Sequence, residues 1–200
     1  IFIYYIYRMA ISFTEENYLK VIHRLSEATL EDISTNAVAE QMQTKAASVT
    51  DMLRKLADKG WVNYQKYQGV RLSPTGEKIA LSIVRKHRLW ELFLVEKMGF
   101  NWDEVHEIAE QLEHIESDEL VNKLDEYLGF PKTDPHGDPI PNKDGVLPEL
   151  AYSQLSEIKA NKTCKLMGVA QDSTVFLQLL TKLNLSLGEY FFLGHEKTKE

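Results

Sequence analysis

Between residues 101 and 122 the chain carries eight carboxylates and not one lysine or arginine. They are Asp103, Glu104, Glu107, Glu110, Glu113, Glu116, Asp118 and Glu119. The surrounding stretch, Trp102 to Leu128, reads as one or two helices broken near Ser117. Like charges three and four residues apart on a helix repel one another, so such a segment folds best with a cation beside it. Two histidines lie inside it. His106, Glu110, Glu113 and His114 are offset by 0, 4, 7 and 8 residues, which at 3.6 residues per turn brings them to one face. Upstream, His87 and Glu91 form another i,i+4 pair. Two helices that each present a His/Glu stripe are a common way for helical proteins to build a divalent-metal site. The competing reading is a solvated acidic face with incidental histidines. Three histidines in register with carboxylates on successive helices favour the metal.

The donor set is imidazole and oxygen, without sulfur. Cys164 is the one cysteine of the sequence, so an intrachain disulfide and a multi-thiolate zinc site are both excluded. Its neighbours Leu166, Met167 and Val169 mark it as a core residue. Oxygen and imidazole suit Mn(II) or Fe(II) better than soft metals. Zn(II) and Cu(II) bind such sites more tightly in general, so selectivity would rest on geometry and supply. A single cysteine fits a reducing, cytoplasmic setting.

The net charge of −7 argues against a nucleic-acid binder, but it is unevenly spread. Residues 1–78 hold 10 basic and 9 acidic side chains, whereas residues 79–200 hold 13 and 21. The near-neutral part reads as helix, helix, short turn, helix, hairpin. Thr14 is placed to cap the first helix ahead of Glu15 and Glu16, with Tyr18, Leu19, Ile22 and Leu25 at helical spacing, ending near Ala28. Ser34 and Thr35 open a second helix through Val38, Ala39 and Met42. Gln43-Thr44-Lys45 turns into a third with Val49, Leu53 and Leu56, stopped by Gly60. Trp61 to Leu72 alternates apolar and polar residues, with Gln68-Gly69 as its turn. This is the order of a winged helix-turn-helix. The third helix starts with small residues that allow close approach to bases, and Ser48 and Thr50 supply hydroxyls. Lys45, Arg54, Lys55, Lys66 and Arg71, with Lys59, give residues 45–71 a local charge of +4 and a surface suited to double-stranded DNA. An ordinary helix and hairpin, or a protein-binding winged helix, are the other readings.

A long helix follows from Ser73-Pro74-Thr75-Gly76 to about Lys97. Residues 130–148 hold five of the six prolines and form an extended connector. Beyond it, Lys165–Val169 and Tyr190–Leu193 read as strands around a helical stretch, Ser173–Leu183. The apolar run Ile1–Ile6 is far shorter than the ~20 residues that span a bilayer, and it lacks the flanks of a signal peptide. Met9 is a candidate start, and no membrane association is expected.

The segments EENYLKVIHRLSE, SVTDMLRKLADKGWVNYQKYQGVRLSPTG, VRKHRLWELFLVEKMGF, VHEIAEQLEHIESDELVNKL and PHGDPIP together resemble the diphtheria-toxin-repressor and manganese-transport-repressor family of metal-dependent transcriptional regulators. The resemblance runs from about Thr14 to Pro141 and more weakly beyond. It implies a mainly α protein: a winged helix-turn-helix at 10–74, a helical metal-binding and dimerisation domain at 75–140, and a small, β-rich SH3-like module at 150–200. It implies a homodimer on an operator, with Mn(II) or Fe(II) as co-repressor for metal-homeostasis genes, and no enzymatic activity. It assigns a primary site to Asn17, Glu110, Glu113 and His114. A second site takes His87, Glu91 and His106, with Asp172 from the C-terminal module.

The connector adds Asp134 and His136 as possible ligands outside the family pattern. Asn17 stands where manganese-type members carry Asp and iron-type members Met. Lys20 stands where some manganese members have Glu, which argues against a binuclear site of that kind. Glu110 replaces the Cys of iron-type members and favours manganese. Two rivals remain. One is an oxygen-activating di-metal enzyme, although the paired Glu-x-x-His motifs of such bundles are missing. The other is a metal store with no DNA role.

Overall fold

The computed structural model describes residues 11–29 and 31–194; the apolar run at Ile1–Ile6 lies outside them. The chain divides between Ile83 and Val84 into two compact units. No helix among the described residues is long and apolar enough to cross a membrane.

The first unit begins with α1 (Phe13–Glu27), α2 (Thr35–Gln41) and α3 (Ala46–Asp58), followed by the hairpin strands β1 (Val62–Gln65) and β2 (Gly69–Leu72). Ser12, not Thr14, caps α1. Its hydroxyl accepts from Glu15 N while the Glu15 carboxylate accepts from Ser12 N, a reciprocal pair that satisfies two orphan donors. Thr14 is already inside the first turn. Ser34 caps α2, and α3 ends before Gly60, whose φ of +71° closes the turn. Tyr18, Leu19, Ile22, Val38, Val49, Leu53, Leu56, Val62 and Val70 are buried together in one core.

β1 and β2 pair antiparallel, Val62 with Leu72 and Gln65 with Gly69. The connection is therefore Lys66-Tyr67-Gln68, with Tyr67 at φ +69°, rather than Gln68-Gly69. Gly69 already belongs to the ladder. At φ +125° a Cβ there would sit 2.8 Å from the Ile33 carbonyl oxygen, so glycine is needed where the Ile33–Val70 bridge brings a third strand segment onto the hairpin.

α4 runs from Pro74 to Met98. In the second unit it is followed by α5 (His106–Leu112) and α6 (Asp118–Tyr127), the latter capped by Ser117. Leu89, Leu92, Val121, Leu124 and Ile140 form this unit's buried cluster. Arg85 bonds Asp125 at 2.7 Å and Asn122 at 3.1 Å, tying α4 to α6.

The segment expected to hold an SH3-like module shows one two-stranded antiparallel ladder, β3 (Lys162–Lys165) with β4 (Tyr190–Leu193), and the helix α7 (Thr174–Lys182). The first strand ends where the sequence reading starts it: residues 166–169 are irregular, with Gly168 packed against Gly137. Cys164 is half-exposed on β3, not in a core.

Candidate functional site

In the second unit α4, α5 and the connector each deliver ligand-type side chains to one place. Glu91, on α4, is 2% exposed. His87, one turn earlier, turns Nε2 to Glu91 Oε1 at 3.0 Å and Nδ1 to Glu113 Oε2 at 2.6 Å. His106, the first residue of α5, brings Nδ1 to 3.4 Å from Glu91 Oε1. That atom is buried yet in no aligned hydrogen bond. His136, from the connector, brings Nδ1 to 3.6 Å from Glu91 Oε2. One carboxylate thus faces three imidazoles.

Among the described residues two groups have the compactness of a metal site: His87, His106 and Glu110, half-buried, and Glu91, Asp134 and His136, fully buried. Glu110 Oε1 lies 3.9 Å from His87 Nδ1 and 3.6 Å from His106 Nε2. Glu113, wholly buried, is the C-cap of α5. His114 falls just past that cap and is half-buried, because α5 starts only at His106 and is too short to carry all four residues of the stripe. Asp172 is half-buried in the irregular stretch before α7. Asn17 belongs to the first unit, on α1, where its Oδ1 is buried without a hydrogen-bond partner.

The electrostatics fit a cation. Burial would raise the Glu91 carboxyl, but the adjacent imidazoles of His106, His136 and His87 outweigh it and hold the group far below the usual carboxylate range. Asp134 goes the other way: burial first, then the charges of Glu91 and Asp138, push it up to about 7. Burial opposes a charge on His136, yet Glu91, Asp134 and the Trp102 carbonyl raise it to about 9. Buried carboxylates this close call for positive charge, of the kind that imidazoles and a divalent ion are able to supply.

Two supporting residues were not legible in the sequence. Arg88 donates from Nη1 to the Pro139 carbonyl at 2.5 Å and has Nε 3.7 Å from Asp134, which holds the connector on α4. Trp102 offers its backbone carbonyl to His136 Nε2 at 2.8 Å. Neither a backbone acceptor nor an arginine reaching a carbonyl leaves a spacing signal.

In the first unit the basic residues lie on α3 and the hairpin. Lys45, Ser48, Arg54, Lys55, Lys66 and Arg71 are exposed, and Thr50 is half-buried. Val49, Leu53 and Leu56 face the core, which leaves Ser48 and Arg54 outward. Thr50 Oγ1 donates to the Ala46 carbonyl at 2.9 Å. Several basic groups already meet acids: Arg54 reaches Asp51 at 3.4 Å, Lys55 reaches the buried Glu15 at 3.1 Å, and Arg71 Nε bonds Asp32 at 2.6 Å. Lys66 Nζ lies over the ring of Tyr67.

A helix-turn-helix with a wing, followed by a helical unit with a buried His/carboxylate centre, defines a class of metal-responsive DNA-binding proteins. Residues 11–70 match the family described as iron dependent repressor, N-terminal DNA binding domain, and residues 73–142 match iron dependent repressor, metal binding and dimerisation domain. The chain belongs to the iron-dependent repressor family. It is 29% identical over 146 residues to the diphtheria toxin repressor of Corynebacterium jeikeium, an alignment covering 73% of this chain and 60% of that protein. It is 32% identical over 138 residues to the iron-dependent repressor IdeR of Mycobacterium tuberculosis, covering 68% of this chain and 60% of the relative. A solved manganese-dependent transcriptional repressor in complex with manganese superposes with a TM-score of 0.79 at 38% identity, covering 88% of this chain and 81% of that one. The chain spans about 60% of the length of the curated relatives it matches.

Proposed function

We propose that this chain is a homodimeric, metal-dependent transcriptional repressor, with Mn(II) or Fe(II) as co-repressor at operators of metal-homeostasis genes. The observation that carries this reading is the buried group of Glu91, Asp134 and His136 beside His87, His106 and Glu110, in a family of DNA-binding repressors. In such a site a divalent ion supplies positive charge that unites carboxylates of α4, α5 and the connector. His87, His106 and Glu110 would hold one ion, and Glu91, Asp134 and His136 another. Glu113 and His114 flank the first group in sequence, while Asn17 and Asp172 are further donors from α1 and the C-terminal segment. The names of the relatives divide between manganese and iron. The thiolate-free donor set favours Mn(II) as the harder of the two. The C-terminal ladder and α7 correspond on this reading to the SH3-like module.

Lys45, Ser48, Thr50 and Arg54 would meet DNA from α3, with Lys66 reaching phosphates from the hairpin. Lys55 and Arg71 would first have to be shared with Glu15 and Asp32. Metal acts as co-repressor only if it binds more tightly to the DNA-competent state. The test is an anaerobic DNA-binding titration of the 200-residue chain on a palindromic operator with Mn(II), Fe(II) or Zn(II) and a chelator control. The expected gain in affinity is about 5–150-fold. Equal affinity with and without metal would remove the co-repressor role. Turnover of oxygen by the metal-loaded protein would instead favour an enzyme.

A further inference from the structure

Trp102 lies just ahead of α5 and touches two places, the connector at His136 and the helix α7. Its backbone carbonyl accepts from His136 Nε2 at 2.8 Å. Its ring stacks on the His136 imidazole with centroids 6.2 Å apart and planes 17° from parallel. Its indole Nε1 donates in the other direction, to Thr181 Oγ1 on α7 at 3.1 Å. Next to it, Asp103 Oδ2 accepts from Gln178 Nε2 at 2.9 Å. Gln178 and Thr181 are three apart and share a face of α7.

A carbonyl oxygen only accepts, so the Trp102 contact keeps a proton on Nε2 of His136 and turns Nδ1 towards Glu91. Metal-binding histidines are commonly fixed in this way, by a bond from their other nitrogen. Here the acceptor is itself held by a helix of the C-terminal segment. The backbone repeats the link: Val169 N donates to the His136 carbonyl at 2.9 Å. Gly137 and Gly168 lie so close that a Cβ on Gly137 would come within 2.3 Å of the Gly168 Cα. α7 buries little of its apolar surface, with Phe176 and Leu180 half-buried. Leu177 is its one buried residue, while Val175 is 80% exposed and Leu179 51%. An element with few buried apolar contacts is one that opens and closes readily.

We infer that Trp102 is a positioning residue for His136, and that through it the docking of α7 is coupled to metal binding at Glu91, Asp134 and His136. The inference rests on reading that group as a metal centre. Coupling is reciprocal: metal should steady α7, and loosening α7 should weaken metal binding.

The experiment uses the full chain and Mn(II) alone as probe. Binding is read by calorimetry and the opening of α7 by amide exchange over residues 177–182. In the parent, Mn(II) is expected to slow exchange across α7. Thr181→Val, which removes the acceptor of the indole N–H, should lower Mn(II) affinity about fivefold and reduce that protection. Trp102→Phe keeps an aromatic ring and the carbonyl but loses the indole N–H, and should behave like Thr181→Val. Thr181→Ser restores the hydroxyl and should behave like the parent, which separates the bond from general damage to the fold. His136→Ala checks the underlying reading. If it binds Mn(II) as the parent does, the metal centre and the coupling both fall. If it binds weakly while α7 exchange in the parent ignores metal, or while Thr181→Val matches the parent, the coupling alone is overturned.

Discussion

Glu91 faces three imidazoles from two helices and a connector, and it is almost wholly buried. Glu91→Gln keeps the shape and one acceptor but removes the charge that balances the imidazoles. It should lower Mn(II) affinity by at least the about 10–100-fold seen when a ligand's outer partner is lost. Calorimetric titration beside a thermal melt checks this, and unchanged affinity in a folded protein would remove Glu91 from the site. Glu113 is the sharper comparison. It is fully buried against His87, so Glu113→Ala should abolish the metal response of DNA binding, and His106→Ala should be milder. The reverse ranking would make His106, not Glu113, the residue on which the metal response depends. At this scale the sequence showed most of the histidines and carboxylates, because i,i+4 spacing survives translation into a helix face. It did not show that the connector folds back with Asp134 and His136 beside Glu91. That placement depends on Arg88 bonding a backbone carbonyl 51 residues away, and no periodicity encodes such a contact.

The helices and hairpin of the first unit were legible as elements because their apolar period changes cleanly at Trp61. The cap of α1 was misplaced by two residues, since Ser12 and Thr14 are equally good side chains and only the Glu15 reciprocal bond decides between them. α5 was overextended for another reason. The acids before His106 look helical by spacing, but Glu104 Oε2 instead accepts from the Asn101 backbone N–H and side-chain amide, which makes a turn.

The contact between α1 and α3 yields a stability prediction. Glu15 is buried and held by Lys59 and Lys55. Burial opposes its charge, but those lysines and the Ser12 N–H lower its carboxyl from 4.5 to about 2. A carboxyl lowered in the folded state stabilises fully above about 4.5, and that contribution is lost as pH falls towards 2. Glu15→Gln should therefore cost about 1–3 kcal/mol at neutral pH. In metal-free melts, parent and variant should converge as pH drops from 5 to 3. A constant gap across that range would mean that the carboxylate's charge is not what holds α3.

Across the whole molecule, the proposed DNA surface is a set of basic residues on α3 and the hairpin of an otherwise acidic chain. Attraction to phosphates must come from a few residues, so removing one should be visible. Lys66→Ala should weaken binding to every sequence and reduce the slope of log affinity against log salt by about 1. Thr50→Ala should instead alter discrimination between operators. Binding curves at several salt concentrations separate the two, and an unchanged slope for Lys66→Ala would take the hairpin off the DNA. The division of labour between a near-neutral and an acidic part was legible from charge alone. In the C-terminal segment the strand Tyr190–Leu193 and the helix at 173–183 were legible, but the first strand was placed three residues late, because Lys162–Lys165 is short and mostly exposed and carries almost no burial pattern.

The centre also gathers positions far apart along the chain: Glu91 on α4 and His136 on the connector are about 45 residues from each other. An ion gripped by both behaves as a removable cross-link. It closes a long loop and takes from the unfolded chain conformations that it would otherwise explore, as a disulfide does. For a loop of that length the chain-entropy contribution is about 4 kcal/mol, available without any change in the folded contacts. Withdrawing the metal would then act first on the durability of the second unit. A protease added with a chelator should cut between residues 91 and 136 before it cuts the helices of the first unit.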